Sequence, residues 1–132
     1  MDKVPEGFAD VIDIYTFDQI LEMDEDDKER GFSKNIVETF YQQAETTFDK
    51  MDKALAEDDL DGLSQLGHFL KGSSASLGLT KVQNACEEIQ HLGAATPNGQ
   101  PSDKAGLAAL LQRVRADYNE IHEMLEKFYA TQ

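Results

Sequence analysis

The run His68-Phe69-Leu70-Lys71-Gly72-Ser73-Ser74 sets a lysine three residues after a histidine and a glycine four after it. On a helix both would be the histidine's immediate neighbours. Projected at 100° per residue, Leu63, Leu66, Gly67, Leu70, Ser74 and Leu77 fall on one stripe, and His68 lies roughly opposite Leu70. The imidazole is therefore expected to face solvent or a partner. Gly72 costs about 1 kcal/mol relative to alanine in a helix interior. Close approach by another molecule is a physical reason to keep it.

An imidazole is largely neutral at physiological pH, and its free nitrogen is then a nucleophile. It can attack a phosphoryl donor and carry the group as a phosphoramidate reactive enough to be passed on. Lys71 would offer positive charge to phosphoryl oxygens, and Gly72 would clear space for an incoming loop. Other chemistries fit less well. A hydrolase could draft Ser64 or Ser73, but nothing orients them and an exposed helix face does not exclude water. The phosphate-loop and dinucleotide glycine patterns and His-Glu-x-x-His are absent. A calcium loop started at Asp24 would put Glu29 where the turn glycine belongs and Asn35 where the bidentate glutamate belongs. His91 falls opposite its helix's apolar stripe and His122 at a core edge, with no ligand spacing to unite them with His68. No metal of the chain's own is expected.

Size and charge narrow the class. A chain of 132 residues is expected to be one domain. Lys and Arg number 12 against 26 Asp and Glu, a net charge of −14, and such a field repels nucleic acid and anionic lipid. The acidity otherwise reads as a solvated surface. Cys86, the single cysteine, excludes an internal disulfide, fits a reducing compartment and shares the register of Val82 and Ile89 as a small core residue. With neither an amino-terminal apolar run nor a stretch of 18 apolar residues, no membrane association is expected, and the location is cytoplasmic or nuclear.

The elements that must position His68 read as helices, with no useful period-two alternation. Residues 1–13 form an arm whose apolar members Val11 and Ile12, with Ile14, dock at its end. A Thr16/Gln19 capping box opens a short helix to about Met23, with Phe17 and Leu21 on one side and Ile20 and Met23 turned away. The acidic run from Asp24 to Asp27 is a loop. Ser33 caps the next helix, with Phe32 and Val37 as a hydrophobic staple, and Val37, Phe40, Tyr41, Ala44, Phe48, Met51 and Leu55 carry it to about Ala56. The histidine helix runs from about Asp61 to Leu77 and stops near Gly78. Thr80 and Gln83 box the start of the next, which buries Val82, Ala85, Cys86 and Ile89 and stops at Gly93. Residues 94–101 are a turn-rich linker. The last helix, from about Ser102 to Tyr129, lines up Leu107, Leu111, Val114, Tyr118, Ile121 and Leu125. The fold class is all-α: an antiparallel up-down four-helix bundle with a short amino-terminal helix packed at one end.

The sequence resembles the histidine-containing phosphotransfer (HPt) proteins of multistep phosphorelays, and within them the fungal osmosensing intermediates. The residues that carry the likeness are His68-Phe69-Leu70-Lys71-Gly72-Ser73-Ser74, Leu77-Gly78-Leu79, Cys86-Glu87, Ile89-Gln90 and Leu92-Gly93. Towards the amino terminus it extends through Ile20, Met23-Asp24, Phe32-Ser33-Lys34, Gln43-Ala44 and Thr46-Thr47-Phe48. It covers about residues 12–93 well, and the last helix only as a helical pattern. Ala94 stands where related fungal proteins can carry an arginine, and the linker is short where relatives can carry a long acidic insertion.

The resemblance implies that His68 accepts a phosphoryl group from an aspartate of one receiver domain, that of a hybrid sensor histidine kinase, and yields it to the receiver of a response regulator. It further implies that Lys71 and Gln90 flank the phosphoryl group, that Gly72 admits the receiver, and that the receiver supplies the magnesium ion. Gln90 sits at the edge of its helix's apolar stripe, which agrees. Docking is assigned to a surface beside the histidine formed by Ile20, Met23, Asp24, Phe32, Ile36 and Ser73. Periodicity independently turns Ile20, Met23 and Ile36 off their stripes, although an arm laid over them would bury the same groups. A monomer without autonomous kinase or hydrolase activity is expected. The competing reading is a helical-bundle adaptor that binds receivers without passing phosphate, a role that would typically dispense with the histidine.

Overall fold

The computed structural model describes residues 11–24, 31–94 and 104–130. The arm up to residue 10, the acidic run at 25–27 and the linker at 95–101 lie outside these. The described chain folds into α1 (Ile14–Glu22), α2 (Gly31–Ala56), α3 (Leu60–Ser76), α4 (Thr80–Ala94) and α5 (Lys104–Ala130), and no strand occurs among the described residues. Each of α2 to α5 packs on the next and α5 returns to α2, closing a four-helix bundle in which α3 and α4 form the most extensive pair. The expected apolar stripes meet inside it. Leu63, Leu70, Val82, Ala85, Cys86, Ile89, Leu107, Val114, Ile121 and Leu125 are all fully buried.

On the α2–α5 side the filling is aromatic. Phe48 and Tyr41 meet the Tyr118 ring edge-on at 5.3 and 6.1 Å, and Tyr41 meets His122 at 4.3 Å. Such pairs each contribute about 0.5–1.5 kcal/mol beyond burial. Burial and a 2.7 Å hydrogen bond to Glu45 Oε2 hold the Tyr118 phenol far above its ordinary pKa. Cys86 is the core residue its register predicts, and burial pushes its thiol up to about 12.

Helix α1 lies at the end of the bundle where α3 turns into α4. Gly78 takes φ +75°, a conformation open to glycine, and its carbonyl accepts the Asp13 amide at 2.6 Å. Thr80 Oγ1 donates to the Val11 carbonyl at 3.2 Å, and Phe17 meets Phe128 of α5 edge-on at 5.9 Å. Val11 and Ile12 are buried beneath this junction.

Helix starts differ from expectation for consistent reasons. Asp13, not Thr16, caps α1: its carboxylate accepts the amides of Tyr15 and Thr16 and the Thr16 hydroxyl. A carboxylate adds charge complementarity to the helix dipole that a threonine hydroxyl lacks. Ser33 lies within α2 and donates its amide and its hydroxyl, each at 2.7 Å, to Asp24, while Phe32 is half exposed. Helix α3 starts at Leu60 behind an Asp59 cap that accepts the Gly62 amide. Helix α4 starts at Thr80 as expected, but the threonine hydroxyl reaches across to Val11 and does not close a box. Gly93 does not stop α4 either. A Cβ there would stand 2.9 Å from the Leu60 carbonyl oxygen, so this glycine serves helix packing.

Candidate functional site

His68 projects from the exposed side of α3, opposite the fully buried Leu63 and Leu70. Lys71 is half-buried one turn on and makes no ion pair among the described residues. By contrast, Lys81, Lys104, Arg113 and Arg115 are all engaged by carboxylates. Its charge is therefore uncommitted next to the imidazole. A Cβ built on Gly72 would meet nothing within 4 Å. The fold itself does not demand glycine there, and the surface beside the histidine is left open.

On the other flank, α4 comes within backbone contact of α3. A Cβ on Gly67 would stand 2.9 Å from the Cys86 carbonyl oxygen and 3.1 Å from the Gln90 amide nitrogen. Ser64 Oγ donates to the Gln90 carbonyl at 2.8 Å. Gln90 is thus carried by a second helix to the side of α3 that holds His68 and Lys71. Its Oε1 is buried without a hydrogen-bond partner. The other end of the amide, Nε2, makes no hydrogen bond among the described residues, so Gln90 has a donor to offer.

Ile20 and Met23 of α1, Ile36 of α2 and Ser73 of α3 come together in one groove of about 420 Å³. Two of the expected docking residues change character. Ile20 is buried at 8% exposure and forms the groove's floor, leaving Met23, at 57%, as its projecting apolar group. Asp24, at 5%, is turned inward onto Ser33, and is not presented to a partner as the docking assignment required. Phe32 is exposed but does not line the groove. Missed by sequence reading were Asn35, Thr39 and Gln43, which line the groove from α2. Their i, i+4, i+8 spacing was a usable signal for a polar stripe beside the apolar one. Phe69, half exposed next to His68, was missed as well. Among the described residues no group of three His, Cys, Asp or Glu side chains could hold a metal ion, and no helix is long and apolar enough to cross a membrane.

A helical bundle that exposes a histidine beside an unpaired lysine and an open glycine is the arrangement of a phosphotransfer domain. Residues 35–128 match the family model of the Hpt domain, and the chain belongs to that family. Among curated proteins it is 59% identical over 83 residues to multistep phosphorelay regulator 1 of Schizosaccharomyces pombe, covering 63% of this chain and 28% of that protein. It is 54% identical over 83 residues to the phosphorelay intermediate protein YPD1 of Candida albicans, covering 63% of this chain and 44% of that one. With the YPD1 of Saccharomyces cerevisiae it shares 45% over 86 residues, 64% of this chain and 50% of that one. The aligned segments thus span half or less of these relatives' length. Among solved structures, yeast Ypd1 superposes with a TM-score of 0.80 at 30% identity, over 91% of this chain and 95% of that one. The S. cerevisiae Ypd1 crystallised with the receiver domain of its downstream response regulator Ssk1 does so with 0.80 at 31%, over 97% and 98%.

Proposed function

We propose that this protein is a phosphorelay intermediate, with His68 as phosphoacceptor between two receiver domains. The observation that carries the reading is the pairing of an exposed His68 with the open space over Gly72. In the first transfer the lone pair of a neutral imidazole nitrogen attacks the phosphorus of a phosphoaspartate. The phosphorus–oxygen bond to the carboxylate breaks with its electron pair, and the aspartate leaves ionised. In the second, a carboxylate of the next receiver attacks and the phosphorus–nitrogen bond breaks back to the imidazole. Lys71 and the Gln90 Nε2 flank the phosphoryl oxygens, and Gly72 admits the receiver.

The upstream partner is the receiver of a hybrid sensor histidine kinase and the downstream partner that of a response regulator. The solved complex of the similar Ypd1 with the Ssk1 receiver supports this class of partner. Receivers dock on the groove around Met23, Ile36 and Ser73. Magnesium stays with the receiver, and the chain itself has no kinase or hydrolase activity. It works as a monomer, without nucleic acid or membrane, in cytoplasm and nucleus.

The test is transfer of radiolabelled phosphate from a phosphorylated receiver to the purified chain, with His68→Gln alongside. Acid-labile, alkali-stable label on the wild type alone is expected. Label retained by His68→Gln would overturn the assignment of the acceptor, and binding without label from several receivers would establish the adaptor.

A further inference from the structure

Helix α3 contains four serines, and one of them behaves unlike the others. Ser73, Ser74 and Ser76 each donate to the carbonyl four residues back in their own helix, those of Phe69, Leu70 and Gly72. This is the ordinary recourse of a serine inside a helix. Ser64 does not take it. Its hydroxyl crosses to α4 and donates to the Gln90 carbonyl at 2.8 Å, from a side chain only 8% exposed. The local packing leaves little freedom in this contact. A Cβ added at Gly93 would stand 3.2 Å from the Ser64 Cβ, and one added at Gly67 would stand 3.1 Å from the Gln90 amide nitrogen. The peptide of Gln90 is therefore gripped from both sides: its carbonyl by Ser64, one turn before His68, and its amide side by the backbone of Gly67, directly before His68.

Gln90 lies in the last turns of α4, where helical geometry is least constrained by the helix's own hydrogen bonds. Its Oε1 is buried without a partner, an arrangement that a buried polar atom rarely adopts. The buried oxygen leaves the Nε2 donor as the presented end. Sliding or rotating α4 by a fraction of a turn would move that donor off the turn of α3 that carries His68 and Lys71.

We propose that Ser64 is a positioning residue for phosphoryl transfer. By holding the Gln90 carbonyl it fixes α4 at the height where the Gln90 amide donates to a phosphoryl group on His68, and so sets the lifetime of the phosphohistidine. The inference rests on the reading of His68 as phosphoacceptor. Its test is arranged to be separable from that reading by labelling the protein with potassium phosphoramidate and no receiver.

The lifetime of the label is followed by phosphorus NMR in the wild type, Ser64→Ala, Ser64→Thr, Gln90→Ala and the Ser64→Ala/Gln90→Ala double variant, with thermal unfolding measured on each. Ser64→Ala is expected to shorten the lifetime by about five-fold, the factor one neutral hydrogen bond carries. In the Gln90→Ala background the same substitution is expected to change nothing further, and Ser64→Thr, which keeps the hydroxyl, is expected to restore the wild-type lifetime. An unchanged lifetime in Ser64→Ala overturns the proposal. An equal shortening with and without Gln90 overturns it too, because Ser64 would then act through general stability. A wild type labelled by phosphoramidate but never by a receiver would sink the relay reading while this comparison still runs, and a wild type labelled by neither reagent overturns both.

Discussion

The α3–α4 crossing and the α2–α5 seam solve the problem of joining two helices in opposite ways. At the crossing the side chains shrink to Gly67, Gly93 and Ser64, and backbone meets backbone. At the seam Phe48 and Tyr41 crowd onto Tyr118 and His122, with the Arg115 guanidinium over the Phe48 ring and paired to Asp52. Large interlocking side chains supply burial and dispersion, and so stability. Small ones supply little of either, but they fix the spacing and relative height of two helices closely. The proposed site, with its histidine on one helix and its glutamine on the other, needs that second property. Stability and the proposed transfer chemistry thereby fall to different parts of one small bundle.

Substitutions at the seam and at the crossing should therefore separate the two properties. The largest effect is expected at Phe48, which is 2% exposed. Phe48→Ala should cost about 3–5 kcal/mol in urea unfolding while the fraction that remains folded accepts phosphate at the wild-type rate. Slow acceptance by the folded fraction would show that the seam also shapes the site. Next come two identical changes on α3 with opposite signs. Gly67→Ala should destabilise by about 1–3 kcal/mol, because its Cβ meets backbone that cannot move aside. Gly72→Ala, which meets nothing, should stabilise by up to about 1 kcal/mol. Equal signs in thermal unfolding would refute the contrast.

Lengthening the same side chain turns from stability to function. Gly72→Gln should leave the fold intact and slow transfer from a receiver by roughly ten-fold or more, the factor that about 1.4 kcal/mol of steric cost carries. Normal transfer kinetics would mean that no receiver loop uses the open space.

The smallest effect is expected from alkali. Burial, first of all, raises the Tyr41 and Tyr118 phenols from their ordinary 10.0, with Glu126 adding to the first and the Glu45 hydrogen bond to the second. The unfolded chain then releases these protons at a lower pH than the folded one, so the seam's contribution is whole below pH 10 and is lost as the pH climbs beyond it. Denaturant midpoints measured from pH 9 to 11 check the decline, and a flat profile would show the phenols to be less isolated than their packing implies.

The bundle was legible in the sequence because its stripes are regular. Val37 through Met51, Leu63 through Leu77 and Leu107 through Leu125 are spaced as a buried helix face requires, and all are buried but Tyr41 and Leu66, which are partly so. His68 was legible for the complementary reason, lying opposite such a stripe. What escaped was whatever depended on which of several possible partners a residue meets once the chain is folded. Thr16 and Ser33 each have the composition of a cap, yet nearby carboxylates, Asp13 and Asp24, outcompete them for the role or take their protons. Ile20 looked exposed because α1 alone cannot reveal that other helices cover it. Gly93 looked like a stop signal, because a glycine needed for close packing and one needed for a turn are the same letter. Ser64 entered the sequence reading only as an unoriented hydroxyl, since its orienting partner lies 26 residues away.

The nine residues of α1 are too few to hold a helix by themselves in water. What keeps them in place are Asp13 on the Gly78 carbonyl, Thr80 on the Val11 carbonyl, Ser33 on Asp24 and Phe17 against Phe128. Every one of those attachment points belongs to another helix or to the turn between two. The groove wall is therefore held by contacts that exist only when α2, α5 and the turn between α3 and α4 are in place. A half-unfolded chain would carry the histidine without the groove, so the proposed docking surface is a property of the closed bundle alone.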